Sequence, residues 1–157
     1  MIEVIRAEEK HVTAIGKLWW ELIIFHQNID DIFTPKEGAV ISFEENYLRR
    51  LMKSTEGLVM VALDGIKVVG YSIAEIQTAP PSFRRDKYGH SSDMVITASH
   101  RRKGIGEKML SEILKWFQSK NIKRVELGIA AGNQMAWAFW NKQGFKVYRH
   151  TLYSEIK

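Results

Sequence analysis

The residues best suited to chemistry form a short basic stretch that contains glycine, in the second half of the chain. Residues 101–106 read Arg-Arg-Lys-Gly-Ile-Gly, follow an apolar run at residues 94–97 and precede a helical pattern. The first backbone N–H groups of a helix lack intrahelical partners and lie at the positive end of its dipole, so they attract anions. Glycines let a ligand approach the backbone, and the cations add charge. The stretch predicts a phosphate-binding site, although a solvated basic turn would have the same composition.

Two common phosphate-binding motifs do not fit this stretch. A Walker loop ends in Gly-Lys and then Ser or Thr, whereas Gly106 is followed by Glu107 and Lys108. A dinucleotide fingerprint needs a glycine where Met109 stands and an acidic residue closing the next strand, where residues 127–129 read Leu-Gly-Ile. The remaining pattern is a strand, then Arg-x-x-Gly-x-Gly, then a helix.

The elements that must position this stretch can be predicted from apolar periodicity and turn residues. Strands are expected at residues 2–5, 58–63, 67–76, 90–97, 124–129 and within 147–156, and helices at 12–23, 43–51, 106–120 and 133–143. The strand at 90–97, the following helix and the strand at 124–129 have the order of a right-handed βαβ unit. The basic stretch would then lie at the carboxyl end of a parallel strand, where α/β sheets bind ligands.

A second motif follows the strand expected at residues 124–129. Residues 133–145 read NQMAWAFWNKQGF, in which Asn133 is a good helix N-cap and Gly144 a good helix end. Together with the first motif, this segment resembles the GNAT N-acetyltransferase superfamily, whose signatures are Gln/Arg-x-x-Gly-x-Gly/Ala and Asn-x-x-Ala-x-x-Leu/Phe-Tyr followed by Gly-Phe. The resemblance in motifs spans residues 93–145, and the preceding half of the chain matches in the order of its elements.

The resemblance implies a fold. It is an α/β domain, GNAT-like, with a mixed and mostly antiparallel central sheet of six to seven strands, about four helices, and one parallel strand pair splayed to hold acyl-CoA. We expect residues 1–157 to form this single domain.

The resemblance also implies a site for acetyl-CoA, the acyl donor. Main-chain atoms of the central strand would pair with the pantetheine arm as an added strand does, and backbone amides of the basic stretch would hold the pyrophosphate. The residues given to this site are Met94, Val95, Ile96, Arg101, Arg102, Lys103, Gly104, Ile105, Gly106, Asn133 and Trp140.

The implied reaction is direct transfer of an acetyl group to a primary amine within a ternary complex. The chain has no cysteine, which excludes a cysteine-linked acyl-enzyme. The amine must lose a proton before it attacks, so a base or a water relay is needed. Glu75, Asp93 and Glu126 lie on expected strands near the cleft and are the candidate bases, and each would serve equally well in a structural ion pair.

The general acid departs from the family pattern. Trp140 stands where many members of the family have a tyrosine thought to protonate the departing CoA thiolate, and an indole N–H cannot do this. We assign this role to Tyr148, with Tyr153, water or no acid at all as the alternatives.

The acceptor site is expected in the first half of the chain, which is the variable part of the family. Trp19, His26, Asp30 and Phe33 would give it aromatic walls and a carboxylate suited to a cation. Such residues would serve equally in a homodimer contact. A small-molecule amine is the expected acceptor, and the alternatives are a lysine or N-terminus of a peptide or protein, or a non-catalytic acyl-CoA-binding module.

Composition limits the other classes of function. The net charge of +5 and the pI near 9.4 suit a nucleic acid or an anionic cofactor, and because no nucleic-acid-binding motif is present we expect the cofactor. The five histidines are scattered and cysteine is absent, so no metal site is expected. No apolar run is long enough for a membrane span or a signal sequence, and a cytoplasmic protein is expected.

Overall fold

A five-stranded sheet forms the centre of the protein, whose computed structural model describes residues 1–157. The strands are β1 (Ile2–Arg6), β2 (Gly57–Asp64), β3 (Lys67–Thr78), β4 (Lys87–Ile96) and β5 (Val125–Glu126), and they lie in this order across the sheet. Strands β1 to β4 pair in antiparallel fashion, whereas β4 and β5 are parallel. The mixed, mostly antiparallel sheet with one parallel pair is therefore confirmed.

Four helical units cover the sheet. The helices are α1 (Val12–Gln27), α2 (Ala39–Ser42), α3 (Arg49–Lys53), α4 (Ile105–Ser119) and α5 (Gln134–Lys142), with 3-10 turns at Glu9–His11, Asp31–Phe33 and Ala98–His100. A π-helical segment, Phe43–Leu48, joins α2 to α3 without a break, so these three pieces form one continuous helix. None of the helices is both long enough and apolar enough to cross a membrane.

Two apolar cores lie on opposite faces of the sheet. On one face, buried residues of α1 and of the helix joining α2 to α3, such as Ile15 and Leu48, pack against Tyr71 and Val95. On the other face, α4 packs its apolar side against β2 and β3, with Met109 fully buried. The α1 helix and the α2–α3 helix therefore share one face of the sheet, and α4 lies on the other.

The number of strands is lower than predicted. The sheet has five strands and not six to seven, the strand expected at 124–129 is only two residues long, and residues 143–157 form no strand. Leu152, Tyr153 and Ile156, expected to close against the core, are 89%, 80% and 98% exposed. Alternation within a segment shows which face a strand would bury, but a strand also needs a neighbouring edge with which to pair, and the two-residue β5 supplies none.

Candidate active site

An open edge of β4 forms one side of the site. Strands β4 and β5 pair only at Gly89↔Val125 and His90↔Glu126, so the following residues of β4 have no strand beside them on that edge. The Thr97 N–H donates to the Val69 carbonyl oxygen (2.8 Å). Main-chain N–H and C=O groups alternate in direction along an antiparallel strand. Those of Val95 therefore also point toward β3, whereas those of Met94 and Ile96 point toward the open edge. An extended ligand can pair with the main-chain groups of Met94 and with the N–H of Ile96.

The loop after β4 ends in an exposed helix start. Gly104 is the N-cap of α4, with a left-handed φ of +76°, and no side chain caps this first turn. Arg102 is also left-handed, with φ +61°. No atom lies within 4 Å of the position that a Cβ on Gly104 would occupy. The amino-terminal end of α4 is thus open to an anion, as its dipole and unpaired N–H groups favour.

Arg101 and Gly106 have structural partners at this end of α4. The Arg101 Nε donates to the Ile96 carbonyl oxygen (2.9 Å), and its Nη1 lies 4.0 Å from the Met135 Sδ at the start of α5. A Cβ on Gly106 would lie 3.1 Å from the Phe139 ring. Arg101 therefore links the open edge to α5, and Gly106 allows α4 and α5 to pack closely. Arg101, Arg102 and Lys103 are all exposed.

Asn133 and Trp140 hold α5 in place. The Asn133 Oδ1 accepts a hydrogen bond from the Ala136 N–H (3.1 Å), which caps α5. Trp140 is 7% exposed and packs edge-to-face on Phe139 and Phe145, with ring centroids 5.0 and 4.9 Å away. Asn133 and Trp140 thus both have structural contacts, the first as the cap of α5 and the second in the apolar packing around it.

A bulge in β4 brings a polar cluster together next to the open edge. Asp93 pairs with Ile73 and Ser91 with Ala74, so Ser92 is an extra residue in β4. The residues around a bulge turn their side chains out of the usual alternation. Ser92 and Asp93 consequently face the same side of the sheet, where their hydroxyl and carboxylate contact Tyr47 and Tyr71.

The cluster consists of Tyr47, Glu75, His90 and Ser92. The Tyr47 hydroxyl lies 3.3 Å from the Glu75 Oε1 and 3.0 Å from the Ser92 Oγ. The Ser92 Oγ lies 3.4 Å from both the Glu75 Oε1 and the His90 Nδ1. We call this group the Glu75 cluster. It connects a partly buried carboxylate to a more exposed imidazole.

Burial controls the ionisation of the groups around this cluster. Burial raises the pKa of Tyr47 to about 12, and the charges of Glu75 and Asp93 raise it further. The hydrogen bond with Ser92 acts in the opposite direction and lowers it. Burial also lowers the pKa of His90, although the carboxylates of Glu75 and Glu126 oppose that shift. At pH 7 Tyr47 is therefore a protonated hydrogen-bond donor, and His90 is a neutral imidazole.

Asp93 lies deeper in the protein than Glu75. The Tyr71 hydroxyl donates to the Asp93 Oδ2 (3.0 Å), and Tyr71 is fully buried. Burial raises the pKa of Asp93, while the hydrogen bond from Tyr71 and the charge of His26 lower it. This carboxylate is thus poorly solvated and has one permanent partner.

Glu126 has a different environment from the other two carboxylates. It binds Arg85, the Arg124 Nε (2.9 Å) and the Tyr148 hydroxyl. Burial opposes its ionisation, but these hydrogen bonds outweigh burial and lower the pKa of Glu126 to about 2. Tyr148 is 56% exposed, with the Arg124 guanidinium 4.7 Å from its ring centroid. Glu126 and Tyr148 therefore belong to one ion-pair cluster, which ties β5 to the segment after α5.

The residues expected to line an acceptor site fall into two groups. The ring centroids of His26 and Phe33 lie 5.2 Å apart, and the charge of His26 reaches Asp93. Trp19 stacks on Phe43 with a centroid distance of 4.5 Å, and the Phe43 ring lies 5.9 Å from that of Tyr47. Both groups lead toward the bulge.

Asp30, the carboxylate expected in the acceptor site, shapes a turn. Its Oδ1 accepts from the Ile32 N–H (3.0 Å), which caps the short Asp31–Phe33 turn. Because this turn contains Phe33, Asp30 helps to place the Phe33 ring beside His26.

Sequence reasoning missed Tyr47, Ser92 and His90. The sequence predicts a regular helix over residues 43–51, whereas Tyr47 lies in the π-helical segment. The signal available was the polar run His90-Ser91-Ser92-Asp93 directly before the apolar residues 94–96 of the same strand. A run of polar residues on both faces of a buried strand is unusual, and here a bulge explains it.

Comparison with known proteins identifies similar domains. The chain matches the family model described as "Acetyltransferase (GNAT) family" over residues 24–145. No curated protein matches its sequence. Among solved structures, a mutant of the BH1408 protein from Bacillus halodurans has a TM-score of 0.86 and 20% identity, with 99% of each chain covered.

Two solved acetyltransferases also have this fold. The aminoglycoside 6'-N-acetyltransferase AAC(6')-Ig from Acinetobacter haemolyticus has a TM-score of 0.77 and 14% identity, covering 99% of this chain and 98% of that one. The aminoglycoside N-acetyltransferase AAC(6')-Iy, solved in complex with CoA, has a TM-score of 0.75 and 9% identity, covering 100% and 95% of the two chains. At these identities the likeness is one of fold.

Proposed function

The chain belongs to the acetyltransferase (GNAT) family, and from this premise we propose that it transfers an acetyl group from acetyl-CoA to the primary amine of a small molecule. One observation carries the proposal: the open edge of β4 leads from the uncapped start of α4 directly to the Glu75 cluster at the bulge. A donor and an acceptor placed at the two ends of this edge would meet at Ser92 and Asp93.

The residues at the open edge fit acetyl-CoA, which supplies the acetyl group as an activated thioester. The main-chain groups of Met94 and the N–H of Ile96 are free to pair with the amides of an extended pantetheine arm, whereas the Ile96 carbonyl oxygen accepts from the Arg101 Nε. The open end of α4 suits a pyrophosphate, and exposed Arg102 and Lys103 add positive charge. A CoA complex of the structurally similar AAC(6')-Iy supports the same donor.

We propose Glu75 as the group that takes the proton of the acceptor. Its side chain is 19% exposed and has no lysine or arginine partner, so its carboxylate is available to an ammonium group. Asp93 is the second candidate. Its burial favours binding a cation, but its contact with Tyr71 makes it less accessible than Glu75. Glu126 is least suited, since its low pKa and three partners oppose protonation.

In the proposed reaction the neutral amine attacks the thioester carbonyl, the N–C bond forms and the C–S bond breaks. The N–H of Met94 or Ile96 on the open edge would stabilise the carbonyl oxygen as it gains charge. The buried Trp140 gives no proton, and Tyr148 is bound to Glu126, so we propose that the CoA thiolate leaves and takes its proton from solvent.

The acceptor class follows from charge and shape on the α1 side of the sheet. Glu75 and Asp93 favour a cationic group, and the aromatic rings of Trp19 and Phe33 are of the kind that a cation contacts. Solved neighbours named as aminoglycoside acetyltransferases support a small-molecule amine. We further propose that residues 1–157 act as one domain, because both cores are built on a single sheet.

The test is release of CoA thiol from acetyl-CoA with a panel of monoamines, polyamines, aminoglycosides and lysine peptides, beside direct measurement of CoA binding. We expect release that depends on a small amine. CoA binding without turnover on any amine would instead favour a non-catalytic binding module, and turnover on peptides alone would overturn the acceptor class.

A matched pair of variants tests the donor site. Gly104→Asp places a carboxylate at the start of α4 and should weaken CoA binding at least about tenfold, because two anions repel there. Gly38→Asp is the control, since Gly38 caps α2 with nearly the same φ of 74° and also has no atom near its Cβ position. Equal losses in both variants would contradict the site.

A further inference from the structure

Two backbone irregularities converge on the Glu75 cluster. Tyr47 projects from the π-helical segment Phe43–Leu48, and Ser92 is the extra residue of the bulge in β4. π-helical turns and β-bulges both interrupt regular hydrogen bonding, and both are frequent at functional sites, where they re-aim a side chain. Here each irregularity delivers a hydroxyl to the same carboxylate, Glu75.

The cluster forms a continuous path from the interior toward solvent. The Ser92 Oγ lies 3.4 Å from the Glu75 Oε1 and 3.4 Å from the His90 Nδ1. The side chain of Glu75 is 19% exposed and that of His90 is 31% exposed. A hydroxyl both donates and accepts, so Ser92 can receive a proton from one neighbour while it gives its own to the other.

We propose that the Glu75 cluster is a proton relay for the acceptor amine, in which Ser92 passes the proton from Glu75 to His90 and Tyr47 positions Glu75 and Ser92. The proposal rests on the acetyltransferase function above. First, the ammonium group of the acceptor gives a proton to the Glu75 carboxylate and becomes a neutral amine. Glu75 then donates that proton to the Ser92 oxygen as the Ser92 hydroxyl hydrogen moves to the His90 Nδ1. The imidazolium finally releases a proton to water, which restores all three groups.

The partners of Glu75 argue for a relay over a structural ion pair. A structural carboxylate in a sheet usually has a lysine or arginine beside it, as Glu126 has Arg85 and Arg124. Glu75 has two hydroxyl groups and an imidazole instead, with the His90 Nδ1 3.9 Å from its Oε1. These groups hold the carboxylate by hydrogen bonds and place no lysine or arginine charge beside it, so the contacts along which a proton would move are already formed.

The charges that face the relay come from several elements. His90 faces Glu75 on β3 and Glu126 on β5, and Glu75 faces Tyr47 on the π-helical segment and Asp93 on β4. His26 on α1 faces Asp93. Because burial lowers the pKa of His90, its imidazole is neutral at pH 7 and can accept a proton. Activity should fall on the acid side as His90 becomes charged.

The experiment measures kcat, KM and the pH–rate profile of single variants with whichever amine of the panel above gives the fastest release of CoA thiol. Glu75→Gln should lose about a hundredfold or more in kcat, the usual worth of a general base. Tyr47→Phe and Ser92→Ala should lose kcat by about tenfold, with KM for acetyl-CoA within about twofold, and Ser92→Thr should recover the loss because it keeps the hydroxyl. His90→Gln should shift the acid limb of the profile.

Two matched controls remove hydroxyls that the relay does not use. Ser91→Ala deletes a buried hydroxyl without a partner on the other face of the same strand, next to Ser92. Tyr88→Phe deletes a phenol that bonds Gln77 on the same two strands. Both should keep the kcat and the pH profile of the unmodified protein.

A second readout does not depend on turnover. The titration of the His90 imidazole, followed by NMR, should shift in Glu75→Gln and Ser92→Ala but not in Ser91→Ala. An unchanged His90 titration, or unchanged kcat and pH profile in Tyr47→Phe and Ser92→Ala of a protein that turns over, would overturn the relay and leave the acetyltransferase function intact. A protein that binds CoA and acetylates no amine would overturn both.

Discussion

At the scale of single residues, three carboxylates on neighbouring strands have three distinct roles set by their partners. Glu75 has neutral hydrogen-bonding partners, Asp93 is buried beside Tyr71, and Glu126 is surrounded by cations. The same side-chain type thus ranges from Glu75, which has no cationic partner from lysine or arginine, to Glu126, which two arginines hold in the charged form.

Glu126 should make stability depend on pH. Its pKa is about 2 in the folded protein and 4.5 without its partners, so its stabilisation is complete above about pH 4.5 and is lost as the pH falls toward 2. Glu126→Gln should unfold at a lower temperature at pH 7, with a smaller further decrease between pH 4.5 and 2. The unfolding temperature measured across this pH range tests the prediction. The control is Glu112→Gln, because Glu112 forms an exposed ion pair with Lys115. If the unfolding temperatures of Glu126→Gln and of the unmodified protein fell in parallel with pH, Glu126 would not be the source of the pH dependence.

Trp140→Tyr tests whether position 140 can serve as an acid. The side chain of Trp140 is 7% exposed and packs between Phe139 and Phe145. A phenol at this position would be buried away from water and could not exchange its proton with solvent. We expect kcat to stay within about threefold and the unfolding free energy to fall by about 1–3 kcal/mol, as for other altered core residues. A clear rise in kcat would show that position 140 reaches the leaving group.

At the scale of elements, close approach between β4 and α4 builds the sheet end that carries the site. A Cβ on Gly89 would lie 2.6 Å from the Cε1 and Cζ of Phe117. Gly89 is also one of the two residues through which β4 pairs with β5. Glycine is therefore required where the helix presses on the strand, just before the two parallel strands separate.

Gly89→Ala should destabilise the protein by about 1–3 kcal/mol, because overpacking forces the ring of Phe117 or the strand to move. Gly128→Ala is the control, since no atom lies within 4 Å of its Cβ position, and it should change stability by less than about 0.5 kcal/mol. Denaturant unfolding measures both. Adding Phe117→Leu to Gly89→Ala should recover part of the loss, and a Gly89→Ala protein as stable as the control would contradict this packing.

At the scale of the whole molecule, positive charge and the open helix end act together. The net charge is +5, and exposed Arg102 and Lys103 lie at the start of α4. Such a field attracts a polyanion before contact and is screened by salt. The same excess of charge that would suit a nucleic acid thus supports the proposed CoA site.

CoA binding should weaken with ionic strength. We expect the Kd to rise by about tenfold between 0.05 and 0.5 M NaCl, because exposed charges are screened over this range. Titration calorimetry measures it, with dephospho-CoA as a comparison that carries less charge and should show a smaller slope. A Kd independent of salt would contradict a charge-assisted pyrophosphate site.

Much of the fold was predictable because it depends on short-range patterns. The β2–β3 hairpin follows from alternation and an Asp-Gly turn, and α4 follows from apolar spacing after Gly104. The parallel β4–β5 pair follows from the strand-helix-strand order. The strand end and helix start that we propose for the donor were predictable for the same reason, since they are neighbours in the chain.

The polar cluster that we propose for the acceptor side and the strand count were decided by long-range contacts. Regular alternation would place Asp93 on the same face as Ser91, and the bulge instead places it with Ser92, opposite Tyr71. Which residue bulges depends on how β3 and β4 pair, and whether residues 147–156 form a strand depends on an available edge. By itself the sequence determined the family, the βαβ unit and the helix start, because these are local. Only the tertiary structure decided which hydroxyls and carboxylates meet, because strand register and a π-helical turn are set by packing between distant segments.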